Sequence, residues 1–170
     1  MEQTTTEHSV WLRPARADDL PRLGELLDRC SPETLYRRFH GTTYEPMRHE
    51  MQRVAANADR RRSWVATSCD GAVRGTGTLA WRDDGTPEIA LLVEDEWFRR
   101  GIGRGLVHRL AGDAQRDGAE AIVAWVQGDN LRAVKFLRAV APGSRIAFDS
   151  GELAVTIPIA PGTTARWDAA

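Results

Sequence analysis

One stretch, Glu88 to Asp113, constrains this chain more than any other. An apolar run rich in branched residues, Ile89 to Val93, reads as a strand, and after an acidic turn Ile102, Leu106, Leu110 and Ala114 recur at helical spacing. Between them stand three glycines at alternate positions, Gly101, Gly103 and Gly105. Side chains are therefore missing where a chain leaving a strand begins a helix, and the first helical N–H groups are left open. The helix dipole adds partial positive charge there, and Arg99, Arg100 and Arg104 add formal charge. The pattern predicts a site for a pyrophosphate or phosphate ester. The competing reading is a glycine-rich helix start used only for close packing on a sheet.

Spacing narrows the ligand. A Walker loop needs Lys-Ser/Thr after its last glycine, and Gly105 is followed by Leu106-Val107. The dinucleotide fingerprint needs its third glycine one place further on, with an acidic residue closing the next strand, and has neither here.

The rest of the chain supplies a context. With 170 residues it is expected to form one domain over 1–170 with a core from about 10 to 160. Lys+Arg 23 against Asp+Glu 24 gives a net charge of -1, which provides no overall field toward nucleic acid or membrane. Cys30 and Cys69 form neither a disulfide framework nor a metal-ligand cluster, so no metal is expected. No signal peptide or membrane span is read, and a cytoplasmic location is expected.

After a polar start (1–8), Val10 and Leu12 read as a short strand. Asp18 or Asp19 is placed to cap a helix carrying Leu20, Leu23, Leu26, Leu27 and Cys30, and Ser31-Pro32-Glu33 signals a second helix start. Met47, Met51, Val54, Ala55 and Ala58 give a third helix. Trp64–Cys69 and Val73–Trp81 read as strands joined at Asp70-Gly71, and Gly75 and Gly77 share a face of the second, marking either a close approach or a packed strand. Beyond the central helix come a buried strand (Glu120–Gln127), a helix with Leu131, Val134, Leu137 and Val140, a last hairpin, and a loose tail from Pro161-Gly162. This order describes an α/β fold: a mixed central sheet of about seven strands flanked by helices.

Phe98-Arg99-Arg100-Gly101-Ile102-Gly103, opening a helix after a strand, resembles the acyl-CoA pyrophosphate loop (Gln/Arg-x-x-Gly-x-Gly/Ala) of the GNAT superfamily of N-acyltransferases. Asn130-x-x-Ala133-x-x-Phe136 is similar to that family's Asn-x-x-Ala-x-x-Phe/Tyr signature, and the element order matches from about Trp11 to Ile159. Phe98 stands in the Gln/Arg slot, so a side-chain contact is missing there. The resemblance implies the GNAT fold, acetyl-CoA as co-substrate and a bacterial enzyme. It also implies a CoA site made of Arg99, Arg100, Gly101, Ile102, Gly103, Arg104 and Gly105, the backbone at Leu92 and Val93, and Asn130 and Phe136.

Acyl transfer from a thioester to an amine needs a neutral amine and a donor for the oxyanion. Glu88, opening an otherwise apolar strand on the face of Ala90 and Leu92, is the candidate base; its alternative is a strand-end carboxylate in solvent. Many relatives place a tyrosine acid where this chain has Leu137. Either no side-chain acid is used, or a donor such as Tyr36 serves, or turnover is weak. The expected partners are an acyl-CoA and a primary amine, protein lysine or small molecule. Ser31–Phe39 resembles the matching helix of bacterial GNAT domains that acetylate protein lysines. A homodimer is compatible with the sequence, and the rival function is a CoA-binding sensor or interaction module.

Overall fold

The computed structural model describes residues 9–41, 43–56 and 60–159. The polar start, Ala58 and the tail from Pro161 lie outside them. Among the described residues are seven strands: β1 (Val10–Pro14), β2 (Arg61–Ser68), β3 (Val73–Trp81), β4 (Pro87–Val93), β5 (Ala121–Gln127), β6 (Arg145–Asp149) and β7 (Glu152–Pro158). Five α-helices accompany them: α1 (Leu20–Arg29), α2 (Pro32–Phe39), α3 (Tyr44–Ala56), α4 (Ile102–Arg116) and α5 (Leu131–Val140). The strands form one sheet in the order β1-β2-β3-β4-β5-β7-β6, antiparallel throughout except for the parallel pair β4–β5. This is the mixed α/β architecture and element order that the periodicities predict. No described helix is long and apolar enough to cross a membrane.

Helices cover both faces. Leu23, Leu26 and Leu27 of α1 and Met47, Met51 and Val54 of α3 bury against Val65, Val73 and Leu92 on one face. Val107, Leu110 and Ala114 of α4 and Val134, Leu137 and Val140 of α5 pack on the other, with Ile89, Ile122 and Val155. Strand alternation therefore sends Glu88, Ala90 and Leu92 toward the α1–α3 side and Ile89, Leu91 and Val93 toward α4. The glycines of β3 answer to this packing. A Cβ at Gly77 would lie 3.0 Å from Leu110 Cδ1 and from Leu91 Cδ2, and one at Gly75 would lie 3.0 Å from the Leu92 carbonyl oxygen. Their bare backbone lets α4 sit close on the sheet.

Local signals act largely as predicted. Gly71 takes φ +80 in the β2–β3 turn, and Ser31 Oγ accepts from the Thr34 N–H at 3.2 Å with Pro32 at the first position of α2. Asp19 differs from expectation. A short turn at Ala17–Asp19 precedes α1, and Asp19 makes no side-chain cap to it. Its carboxylate is buried, 2.6 Å from Arg13 Nη2, and accepts the Arg16 N–H at 2.8 Å. A charged partner on β1 competes better for a buried carboxylate than the helix start does.

Candidate active site

The sheet opens at its centre. β4 and β5 share a single register pair, Glu88↔Val123, and part beyond it, whereas β4 stays paired with β3 from Pro87 to Val93. The Glu94 N–H donates to the Arg74 carbonyl of the β3 side at 2.9 Å, so the antiparallel alternation turns the backbone groups of Leu92, Ala90 and Glu88 the same way. Those of Ile89, Leu91 and Val93 then face the gap, and among the described residues no strand lies opposite Leu91 or Val93. The parting creates a cleft of about 1120 Å³ between the two halves of the sheet, walled by α2, α3, α5 and the start of α4.

The loop into α4 presents its backbone to this cleft. Arg99 and Gly101 both adopt positive φ, +59 and +82. A non-glycine residue in that region stores strain, and such strain gathers at ligand-binding turns. The Gly105 N–H is the first to bond within the helix, to the Gly101 carbonyl at 2.9 Å, and among the described residues no side chain caps α4. The N–H groups of Ile102, Gly103 and Arg104 thus have no partner within the helix, and the dipole makes them attractive to an anion.

The cleft brings together most of the residues that the sequence singles out. Glu88 sits on its wall with Leu92 and Val93; Arg99, Gly101, Ile102, Gly103 and Arg104 line the α4 end, and Asn130 and Phe136 the α5 side. Arg100 and Gly105 are not among the lining residues. Arg100 lies over the Trp97 ring at 4.8 Å, and a Cβ at Gly105 would lie 2.6 Å from Leu12 Cδ1 on β1. Gly103 also has a packing role, because its missing Cβ would lie 2.9 Å from Phe136 Cζ. Packing therefore accounts for the bare Cα of Gly105 and bears on Gly103, whereas Gly101 has open space and a positive φ.

Glu88 is one-third exposed, its Oε2 3.2 Å from Arg82 Nη1. Asn130 Oδ1 accepts the Ala133 N–H at 3.1 Å, capping α5 and leaving its amide NH₂ to donate elsewhere. Leu137 lines the cleft but is buried and carries no acid, while Tyr36 is 44% exposed and is not among the lining residues. Tyr36 is thus poorly placed as a substitute donor. Next to the acidic turn, Asp95 takes the Ser31 N–H at 2.8 Å, Ser31 Oγ at 2.8 Å and Thr34 Oγ1 at 2.7 Å, fastening α2 to the cleft. Burial pushes its carboxyl up, and these hydrogen bonds, led by the Ser31 N–H, outweigh it and hold Asp95 below the usual range. Glu94 is buried between Arg29 at 2.9 Å and Arg74 at 3.1 Å. Both carboxylates are structural.

Three features have no local sequence signal. His40, in a left-handed cap ending α2, pairs through Nδ1 with Glu152 at the start of β7, and Arg37 pairs with Asp129 beyond β5. These contacts tie α2 across the gap. Arg132 places its guanidinium over the Phe98 ring at 4.3 Å, both on the cleft wall. Arg38, Glu50 and Arg61 form a charged cluster on the α3 side. Only chain crossings reveal them.

A family model described as "Acetyltransferase (GNAT) family" matches residues 21–140. Among curated protein sequences none matches. Among solved structures, the GNAT domain of S. lividans PAT superposes with a TM-score of 0.73 at 24% identity, over 86% of this chain and 89% of that one. The YncA protein of Salmonella typhimurium, solved with acetyl-CoA, gives 0.70 at 18% identity, over 89% of this chain and 94% of the other. The PaiA N-acetyltransferase of Thermoplasma acidophilum with coenzyme A gives 0.71 at 15%, covering 88% and 99%.

Proposed function

Because this chain belongs to the GNAT family of acetyltransferases, we propose that it is an acyl-CoA-dependent N-acyltransferase that moves acetyl from acetyl-CoA to a primary amine, with Glu88 as general base. One observation carries the reading. The parted β4–β5 seam has a carboxylate, Glu88, at its closed end and the uncapped start of α4 along the same cleft.

The pyrophosphate takes the N–H groups of Ile102, Gly103 and Arg104, with Arg99 and Arg104 adding charge. Pantetheine runs along β4 as a substitute strand. The ladder parity favours the backbone of Leu91 and Val93 for its amides, with Leu92 contributing packing, and the NH₂ of Asn130 is free to donate to it. Phe98 gives no polar contact in the Gln/Arg slot; Arg132, stacked upon it, brings a guanidinium to the same wall and is the natural replacement.

In the reaction the neutral amine nitrogen attacks the thioester carbonyl, forming a C–N bond. An outward N–H of β4 receives the oxyanion, the C–S bond breaks, and the proton shed by the nitrogen passes to Glu88 directly or through water. A thiolate of ordinary pKa about 8.5 leaves without a side-chain acid, which accommodates Leu137. The same leucine keeps the CoA-binding sensor as the second reading. Thiol release from acetyl-CoA over a pH series separates them. Wild type should turn over, and Glu88→Gln should lose roughly 100-fold or more in kcat with CoA affinity nearly intact. Full turnover by Glu88→Gln would remove Glu88 as base, and tight CoA binding without turnover would favour the sensor.

A further inference from the structure

The cleft wall near Glu88 holds more buried positive charge than its carboxylates answer. Glu50 Oε1 receives Arg61 Nη1 at 2.8 Å and Arg38 Nη2 at 3.4 Å, while its Oε2 lies 3.7 Å from Arg53 Nη1. Three guanidiniums share that one carboxylate; Arg53 reaches it from solvent, 66% exposed, while the side chains of Arg38 and Arg61 are only 15% and 13% exposed. Of the other carboxylates that line the cleft, Glu88 is already paired with Arg82 and Glu152 with His40, while Asp149 accepts from Ser150 Oγ. Burial disfavours the charge on Arg38, and Glu50 and Glu88 offset part of that.

Two donors in the same region are left over. Among the described residues, Arg38 Nε and Trp125 Nε1 are buried without a hydrogen-bond partner, and both residues line the cleft. A buried donor without a partner costs free energy, so such groups are normally satisfied. They belong to one end of the cleft. Trp125 lies two residues beyond Val123, the register partner of Glu88, on the face of β5 opposite Ile122, Ala124 and Val126. Arg82, which bonds Glu88, lies over the Trp125 ring at 5.4 Å.

We propose that the acceptor is an amine that also carries a carboxylate, an amino acid or close analogue, whose nitrogen meets Glu88 while its carboxylate is held by Arg38 and the Trp125 Nε1–H. This rests on the acyltransferase reading above and goes beyond it by naming the acceptor class. A carboxylate supplies the missing negative charge and an acceptor for both unused donors. A polyamine or an isolated lysine side chain would bring further positive charge to a wall that already has an excess. Reaching Nε asks Arg38 to swing from its 3.4 Å contact with Glu50, which leaves Glu50 its shorter bond to Arg61.

The test uses the full chain with matched acceptors: the twenty protein amino acids, their carboxamides, their decarboxylated amines, spermidine and a lysine peptide. Thiol release is measured for each, beside calorimetric titration of each into the CoA-loaded protein. At least one amino acid should exceed both its carboxamide and its decarboxylated amine by about 100-fold in kcat/KM, or in affinity if turnover is slow. Arg38→Met should bring that ratio close to one, and Trp125→Phe, which keeps a ring and removes the N–H, should lower it by about 10-fold. A ratio does not depend on how much of a variant folds. Equal use of acid and amide, or preference for spermidine or the peptide, would overturn the assignment, as would an undiminished ratio in Arg38→Met. Failure to bind CoA would instead strike the acyltransferase reading, and this assignment with it.

Discussion

Alanine at each of Gly101, Gly103 and Gly105 in turn separates three roles that a glycine count merges. At Gly103 the new Cβ would stand 2.9 Å from Phe136 Cζ and 3.2 Å from Cε2. Carbon contacts settle at about 3.5–4.0 Å, so the ring must move by roughly 0.5–1 Å, and it lines the cleft. Replacing a helical glycine by alanine recovers about 1 kcal/mol, which offsets much of that strain in the fold. The displaced ring then disturbs the CoA site, and a tenfold weaker Kd, about 1.4 kcal/mol, is expected. At Gly105 the Cβ meets only the movable end of Leu12, on β1, at 2.6 Å. A rotamer adjustment of about 0.5–1.5 kcal/mol nearly cancels the helix gain, with CoA affinity unchanged. At Gly101 there is open space but φ +82, so alanine costs about 1 kcal/mol and lowers Tm by about 2–4 °C, leaving the open N–H groups in place. Calorimetric CoA titrations and thermal melts of the three variants read this directly. Equal loss of CoA affinity in Gly105→Ala and Gly103→Ala, or no loss in either, would refute the division of roles.

Asp95→Ala should remove about 2–3 kcal/mol at pH 7, since a carboxylate that takes three hydrogen bonds is lost, and lower Tm by roughly 5–10 °C. The folded Asp95 carboxyl lies below its ordinary value, so its contribution is present above the unfolded pKa and is lost as pH falls through the folded one. Melts should accordingly show the gap between wild type and variant closing in strong acid; a constant gap would contradict the assignment. Burial pushes the Cys30 thiol up to about 12 while Cys69 is exposed, so a thiol reagent at pH 8 should label Cys69 alone in the native protein and both after unfolding. Prompt double labelling of the native protein would contradict that burial.

Much of the fold was legible because its signals are local. The apolar run of β4, the period of α4, the Ser31-Pro32 start and the Asp70-Gly71 turn each depend on neighbours within a few residues, and each forms where expected. That Asp95 would hold the Ser31–Thr34 start of α2, 64 residues from Ser31, has no local signal. Asp19 shows the opposite failure: its position next to a helix suggested a cap, and a distant arginine on β1 took it instead. The parting of β4 from β5 leaves no mark on either strand's own pattern, so the outward turn of Leu91 and Val93 appears only with the register. The Arg38–Glu50–Arg61 cluster joins α2, α3 and β2, so no single stretch of sequence carries it.

The most direct measurement of the central claim is to incubate the purified chain with acetyl-CoA and the amine panel, following free thiol and acetylated product by mass together. The account predicts thiol release matched one for one by N-acetyl product with at least one acceptor, abolished when excess CoA competes for the cleft. Neither turnover nor CoA binding at millimolar concentration would contradict it.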